Sequence, residues 1–232
     1  MKSLLSELRQ QANPEKAKVL QRFFKKGPGE YGEGDIFLGI TVPQTRKIAS
    51  QYTNLSLNDI EALLKSKVHE ERLCALFLLV HKYQKGDDAI RLKIVNFYLS
   101  KAKHVNNWDL VDSSAHQILG DSLLNKDSSI LYTLAKSENI WERRISIVST
   151  YAFIRNKKFS DTLKISEILL QDKHDLIHKA VGWMLREVGK KDINVLETFL
   201  EKHYKKMPRT MLRYAIEKLP EGKRKEYLKR KI

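Results

Sequence analysis

Cysteine, proline and glycine are scarce in this chain, and acidic residues are outnumbered by basic ones. The single cysteine, Cys74, lies in the apolar run Leu73-Cys74-Ala75-Leu76-Phe77 and can staple nothing within the chain. That excludes a disulfide scaffold and points to reduced surroundings. Five prolines and ten glycines fall mainly at the edges of periodic segments, which suits long runs of helix. No stretch approaches the roughly eighteen consecutive apolar residues of a membrane span. The start, Met1-Lys2-Ser3-Leu4-Leu5, runs at once into Ser6-Glu7-Leu8-Arg9 and contains no apolar signal-peptide core. The expectation is a cytoplasmic protein without membrane association.

What is present in excess is positive charge. Lys and Arg number 43 against 28 Asp and Glu, a formal net charge of +15 with a pI near 9.7. Such a surplus draws a protein toward polyanions and makes binding depend on salt. It is uneven: residues 201–232 hold twelve Lys or Arg against four Glu, so half of the surplus sits in the last seventh. The plainer explanation of that segment is a solvated, highly charged terminal helix. With 42% hydrophobic residues the chain has enough apolar material for a core, which excludes a disordered polycation.

Nearly every segment reads with helical period. Asn13-Pro14-Glu15 places a cap, a proline at the first helical position and an acid in the first turn. Val19, Leu20, Phe23 and Phe24 form the apolar stripe of the helix that follows. The glycine-dense run Gly27–Asp35 must be a loop, and a new helix follows from Thr41-Val42-Pro43. Further starts fall at Ser56 and Glu70, then near Asn107, Asp127, Asn139, Phe159, Asp172, Asp192, Pro208 and Glu221. Alternation never persists long enough for a strand. About a dozen short helices joined by short turns imply an all-α fold of antiparallel helix pairs. Pairs of roughly forty residues that stack side by side make an α-solenoid with a concave face, here a single domain over 1–232. A compact bundle is the structural rival.

Several familiar sites are excluded. The glycine loop lacks the terminal Gly-Lys-Ser/Thr of a nucleotide-binding loop, and Glu30, Glu33 and Asp35 would repel phosphate. His69-Glu70 has no second histidine one turn on, since Leu73 fills that position. His174 and His178 share one helix face but lack a third ligand, so no metal and no cofactor are expected.

The informative segment is Asn106-Asn107-Trp108-Asp109-Leu110-Val111-Asp112-Ser113. Trp108 and Asp112 are one turn apart and point the same way, while Leu110 and Val111 face the core. An indole beside a carboxylate is a candidate site; the bland account makes Asp109 and Asp112 helix-start acids that satisfy the dipole. In Trp141-Glu142-Arg143-Arg144-Ile145, the run Ile145, Ile147, Val148 marks the buried side and leaves at least one arginine free. In Lys179-Ala180-Val181-Gly182-Trp183-Met184-Leu185-Arg186-Glu187, Trp183 shares a face with Lys179, Arg186 and Glu187. Gly182 inside a helix costs stability, which suggests close packing or close approach of a partner. The three segments are read as helix heads spaced about one helix pair apart, which a solenoid would line along one surface.

Phe37-Leu38-Gly39-Ile40 with Pro43 and Arg46, Trp108–Asp112, Trp141–Arg144, Lys179–Glu187 and Met207–Ala215 together resemble the AlkD-type DNA alkylation repair proteins in order and spacing. The resemblance runs from about Asn13 to Tyr214. It implies a right-handed solenoid of HEAT-like helix pairs whose basic concave groove holds duplex DNA. It also implies a monofunctional glycosylase for cationic lesions of the 3-methyladenine and 7-methylguanine type. The catalytic positions it implies fall on Asp112, Trp108 and Trp183. Arg144, Arg46, Lys179, Arg186, Arg209 and Arg213 fall on the DNA-binding surface. The implied partner is double-stranded DNA carrying alkylated bases, and the implied state is a monomer associated with the nucleoid when on DNA. Two departures stand out: the loop Gly27–Asp35 is longer than in some members, and Phe23 stands where the family can carry a DNA-contacting tyrosine.

These residue types suit the chemistry. An N-alkylated purine is already cationic and leaves without a general acid, so the charge to be stabilised develops on the sugar. One carboxylate with flanking π faces then suffices, where neutral glycosides usually require two acids. On that reading Asp112 stabilises the sugar and positions water, Trp108 and Trp183 cradle the deoxyribose, and Arg144 grips a phosphate. Two rivals remain: a non-catalytic repeat protein that recognises distorted or branched DNA, and a helical scaffold for an acidic protein partner.

Overall fold

The computed structural model describes residues 1–229. It is all-helical, and its consecutive helices, joined by short turns, are consistent with a HEAT-like α-solenoid. The packing divides into two compact units, Met1–Ser114 and Ala115–Ile232.

The first unit contains α1 (Lys2–Gln10), α2 (Pro14–Phe23), α3 (Val42–Gln51), α4 (Leu57–Leu64), α5 (His69–Lys85), α6 (Asp88–Ser100) and α7 (Trp108–Asp112). Its helix starts are chemically explicit. The Asn13 side chain accepts from the Lys16 amide at 3.0 Å ahead of Pro14, and Asp87 accepts from the Ile90 amide at 2.9 Å. At α4 the Ser56 hydroxyl accepts from the Asp59 amide while Asp59 accepts from the Ser56 amide, both at 3.2 Å. That reciprocal pair satisfies two donors the helix itself cannot.

Helix α5 is the axis of this unit, with α1, α3, α4, α6 and α7 packed around it. Leu73, Cys74, Ala75, Leu76, Leu78 and Leu79 are all buried, so the helix is apolar on every side, as burial in a core requires. Its first turn breaks that rule: His69, Glu70, Glu71 and Arg72 are buried as well. A buried charge is tolerated only when paired and hydrogen-bonded. The segment after the glycine loop supplies much of the pairing. Ile36 forms an isolated parallel bridge with Val68, and the Glu70 carboxylate accepts from the amides of Leu38, Gly39 and Ile40 at 2.8–3.3 Å. Leu38 in turn accepts from the Asn13 amide at 2.8 Å, which ties the head of α2 to the head of α5.

The second unit contains α8 (Ser129–Ala135), α9 (Ile140–Ser149), α10 (Tyr151–Arg155), α11 (Ser160–Ile168), α12 (Asp175–Lys191), α13 (Ile193–His203), α14 (Arg209–Ala215) and α15 (Glu221–Lys229), preceded by a π-helical turn at His116–Gly120. Here α12 is the axis, packed by α9, α10, α11, α13 and α14. A β-carbon on Gly182 would stand 2.5 Å from both the Met211 carbonyl oxygen and the Tyr214 Cβ, so this glycine exists to let α14 lie against α12.

Two differences from the sequence reading have plain causes. Val19 and Phe23 belong to the stripe assigned to the core, yet they are 66% and 61% exposed. Ala17 and Phe24 take the buried side instead, because α2 is held by its head and leans on the loop that follows it. Trp183 is not near a helix head: α12 begins at Asp175, and its 17 residues place the indole in mid-helix.

Gly39 generates the first prediction. Its φ of +82° lies in the left-handed region, and an added Cβ would meet the Asn13 carbonyl oxygen at 2.1 Å. Gly39→Ala is expected to lower the unfolding free energy by at least about 2 kcal/mol, read from denaturant unfolding.

Candidate nucleic-acid interface

In the first unit the site is built on α7, which is five residues long. Asn107 precedes it, accepting from the Trp108 amide at 2.8 Å. Leu110 and Val111 are fully buried, as their apolar character demands, which leaves Trp108 and Asp112 half-buried on the other side. Trp108 stacks on Phe24 with ring centroids 5.3 Å apart and planes at 15°, and Phe23 meets its edge at 5.8 Å. Beside the indole lies a cleft of about 450 Å3 whose walls include Val19, Phe23, Val42 and Pro43. The exposed half of the α2 stripe therefore lines a hollow next to Trp108.

The structure separates the two carboxylates that the sequence left alike. Asp109 is buried and faces inward, where its Oδ2 accepts from His69 Nε2 at 2.7 Å. Asp112 is only half-buried, and its charge reaches the fully buried Tyr98. Burial first, and then that charge, push the Tyr98 hydroxyl above its ordinary range. The bland account of a helix-start acid thus fits Asp109, in a stronger form than dipole compensation.

His69 is the centre of a network that sequence reasoning missed. Its Nδ1 faces Asp35 Oδ2 at 3.4 Å, and the same carboxylate accepts from Arg72 Nη2 at 2.6 Å and from Asn107 Nδ2 at 3.5 Å. Burial alone would drive the imidazole neutral, but the carboxylates of Asp109 and Asp35 outweigh it and raise the His69 pKa to about 9. At Asp35, burial opposes ionisation, yet the hydrogen bond from His69 and the Arg72 charge hold its carboxyl below the usual range. Phe24 and Phe37 flank the ring at 4.9 and 4.8 Å. The signal available in sequence was the charged quartet His69–Arg72 directly before an apolar run. Arg46, also in this unit, is exposed and lies over the Phe77 ring at 4.0 Å.

In the second unit Trp183 leans on Tyr151 at 6.0 Å, and His116 meets Tyr151 edge-on at 5.2 Å. Burial, then the charge of Arg155, lowers the His116 pKa to about 4, so this aromatic group is neutral. Neither Tyr151 nor His116 was legible beforehand, because no spacing ties them to Trp183. Lys179 pairs with Asp175 at 2.7 Å on α12, and Arg186 pairs with Glu187 at 3.5 Å and with Glu217. Arg209 and Arg213 stand exposed on α14, with Arg209 donating to the Leu228 carbonyl.

The expectation of a free arginine at the head of α9 is corrected. Arg143 Nε pairs with Asp172 at 2.6 Å. Arg144 is 4% exposed and donates to the Leu176 carbonyl at 2.5 Å, bracing the first turn of α12. Their role as anchors between helices follows from the short α9–α12 separation, which periodicity does not encode. His174 accepts from the Leu176 amide at 3.1 Å as the cap of α12, and His178 contacts the Asp172 carbonyl.

A helical-repeat protein with indoles on three of its helices and a large cationic surplus is the class these features define. Comparison makes the assignment specific. The family model described as DNA alkylation repair enzyme matches residues 4–219, and the chain belongs to that family. Its role is therefore in DNA repair. A solved structure described as a predicted DNA alkylation repair enzyme from Enterococcus faecalis is 20% identical, with a TM-score of 0.70 over 91% of this chain and 98% of that one. At that identity the likeness shows the fold. The comparison with curated proteins gave no match. Among the described residues no helix is long and apolar enough to cross a membrane.

The His69 network predicts an alkaline loss of stability. A histidine whose folded pKa exceeds its unfolded value stabilises the fold fully below about 6.5, and that contribution is gone once pH has risen past about 9. The contribution is on the order of 3 kcal/mol at most. In denaturant melts, the margin of wild type over His69→Gln should be largest near pH 6 and shrink toward about pH 10. A margin that does not change with pH would contradict a charged His69.

Proposed function

We propose that this protein is a monofunctional DNA glycosylase that releases cationic alkylated purines, of the 3-methyladenine and 7-methylguanine type, from duplex DNA. The observation that carries the reading is the division of labour on α7. Asp109 is buried against His69, while Asp112, one turn from the Trp108 indole and on the same face as it, is only half-buried.

The chemistry follows from charge. In the reaction the bond between C1′ and the purinium nitrogen breaks, its electron pair goes to the base, and the base leaves neutral. Positive charge develops on the deoxyribose, where the Asp112 carboxylate stabilises it. Water adds to C1′ and its proton passes to Asp112 and then to solvent. Trp108 presents a π face to the cationic sugar. Trp183, held against Tyr151, supplies a second π surface to the DNA from the second unit. Arg46, Lys179, Arg186, Arg209 and Arg213 contact the phosphate backbone, and Arg144 acts from its buried position at the head of α12. The net charge of +15 supplies the long-range attraction.

The decisive assay incubates methylated duplex DNA with wild type and with Asp112→Asn and measures liberated 7-methylguanine. Wild type should release the base and the variant should not, with duplex affinity unchanged within about threefold. Unimpaired release by Asp112→Asn would overturn the assigned role, and binding without release by wild type would favour a non-catalytic repair protein. Affinity should also fall by at least about tenfold between 50 mM and 200 mM salt, since several phosphates are neutralised. A flat response would remove the basis for a cationic DNA surface.

A further inference from the structure

We propose that His69 is a positioning residue for the catalytic helix: by gripping Asp109 and packing against the ring that Trp108 stacks on, it sets the orientation of Trp108 and Asp112. The inference rests on Asp112 being the acid of the proposed reaction.

The need for such a device comes from the length of α7. Five residues form too few intrahelical bonds to fix a helix by itself, because the first turn costs more than it returns. Its local bonds include the Asn107 cap, Leu110 N–H to Asp109 Oδ1 at 2.9 Å, Val111 N–H to the Asn107 carbonyl at 3.2 Å, and Ser113 N–H to the Asp109 carbonyl at 3.0 Å. Its strong attachment is to α5. Asp109 lies between Trp108 and Asp112 in sequence and holds His69 Nε2 at 2.7 Å. A second link reaches the same ring through aromatic contacts, since Trp108 stacks on Phe24 at 5.3 Å and Phe24 lies 4.9 Å from His69. Rotating α7 would therefore break an ion pair and an aromatic stack together.

The ring itself is held from all sides. The charged groups facing it are Asp35 from the loop, Arg72 from its own helix and Asp109 from α7, and Phe24 and Phe37 flank its plane. Protonated, it donates through both nitrogens; neutral, it loses one of these donors and the attraction of both carboxylates. A purely structural role would cost stability and leave the rate of the folded enzyme unchanged. A positioning role couples the rate to the state of the imidazole.

The test uses the full chain, with single-turnover release of 7-methylguanine at saturating enzyme from about pH 7 to about pH 9.5, and NMR titration of the His69 ring nitrogens. Wild-type release should decline on the alkaline side in step with His69. In Asp109→Asn the His69 midpoint and the decline should both move down by at least about one pH unit. His69→Gln should react slower by on the order of tenfold to a hundredfold, with duplex affinity within about threefold and no alkaline decline. Circular dichroism confines these comparisons to folded protein. A profile unchanged in Asp109→Asn, or a rate loss accounted for by weaker DNA binding, overturns the proposal.

Failure of the glycosylase reading is separable. If wild type releases no base, the emission of Trp108 in a Trp141→Phe, Trp183→Phe background still reports the grip. It should titrate together with His69, and Asp109→Asn should shift that titration downward. A Trp108 signal indifferent to the His69 titration sinks the positioning role whatever the enzyme does.

Discussion

The first unit depends on a charged helix head placed inside its core. The first four residues of α5 are ionisable and buried, directly before a run that is apolar on all sides. An isolated buried charge costs several kcal/mol, so this head exists only because other segments come to it. The loop after Gly34 brings three backbone amides to Glu70 and a carboxylate to His69 and Arg72, and α7 brings Asp109. Two segments with weak intrinsic structure are thereby fixed to one strong helix. One of the two carries Trp108 and Asp112, so the placement of those side chains depends on the same head.

The second unit solves its packing differently. Its axis, α12, is amphipathic rather than buried all round, and a glycine lets a neighbour approach where a side chain would hold it off. Trp183 sits one residue beyond that glycine, so the close α12–α14 contact and the placement of the indole share a cause. Tyr151 and a neutral His116 back the indole with rings rather than charges. A cationic ligand therefore meets no competing positive charge from His116 there at neutral pH.

Most helix boundaries were legible because capping is local. Asn13 before Pro14, Ser56 with Asp59, Asp87, Asn139 and Asp192 each carry their own donor or acceptor within three residues. The inward turn of Leu110 and Val111 was legible for the same reason, since periodicity decides it. What was not legible depends on contacts between residues 25 to 40 apart in sequence. His69 was noticed and set aside for lacking a second histidine, yet its partners are carboxylates 34 and 40 residues away. Arg143 and Arg144 looked half free because their acceptors lie on another helix. The exposure of Phe23 was invisible because the α2 stripe has two candidate buried sides, and the tie from Asn13 to Leu38 selects between them.

The two aspartates of α7 stand in different surroundings, Asp109 buried and Asp112 half-buried. Asp109 faces an imidazole that is protonated at neutral pH, and its field is spent inside the core: a charge that develops outside would find it largely neutralised by the imidazolium. Asp112 is half-buried, and its influence extends as far as Tyr98. A reaction that expels a neutral base from a cationic one needs negative charge at the sugar and no proton donor at the base, so a second acid would be idle there. Burying Asp109 against His69 keeps that acid inside the core and ties α7 to α5. One turn of helix puts Trp108 and Asp112 on one face, with Asp109 at its border, buried against His69.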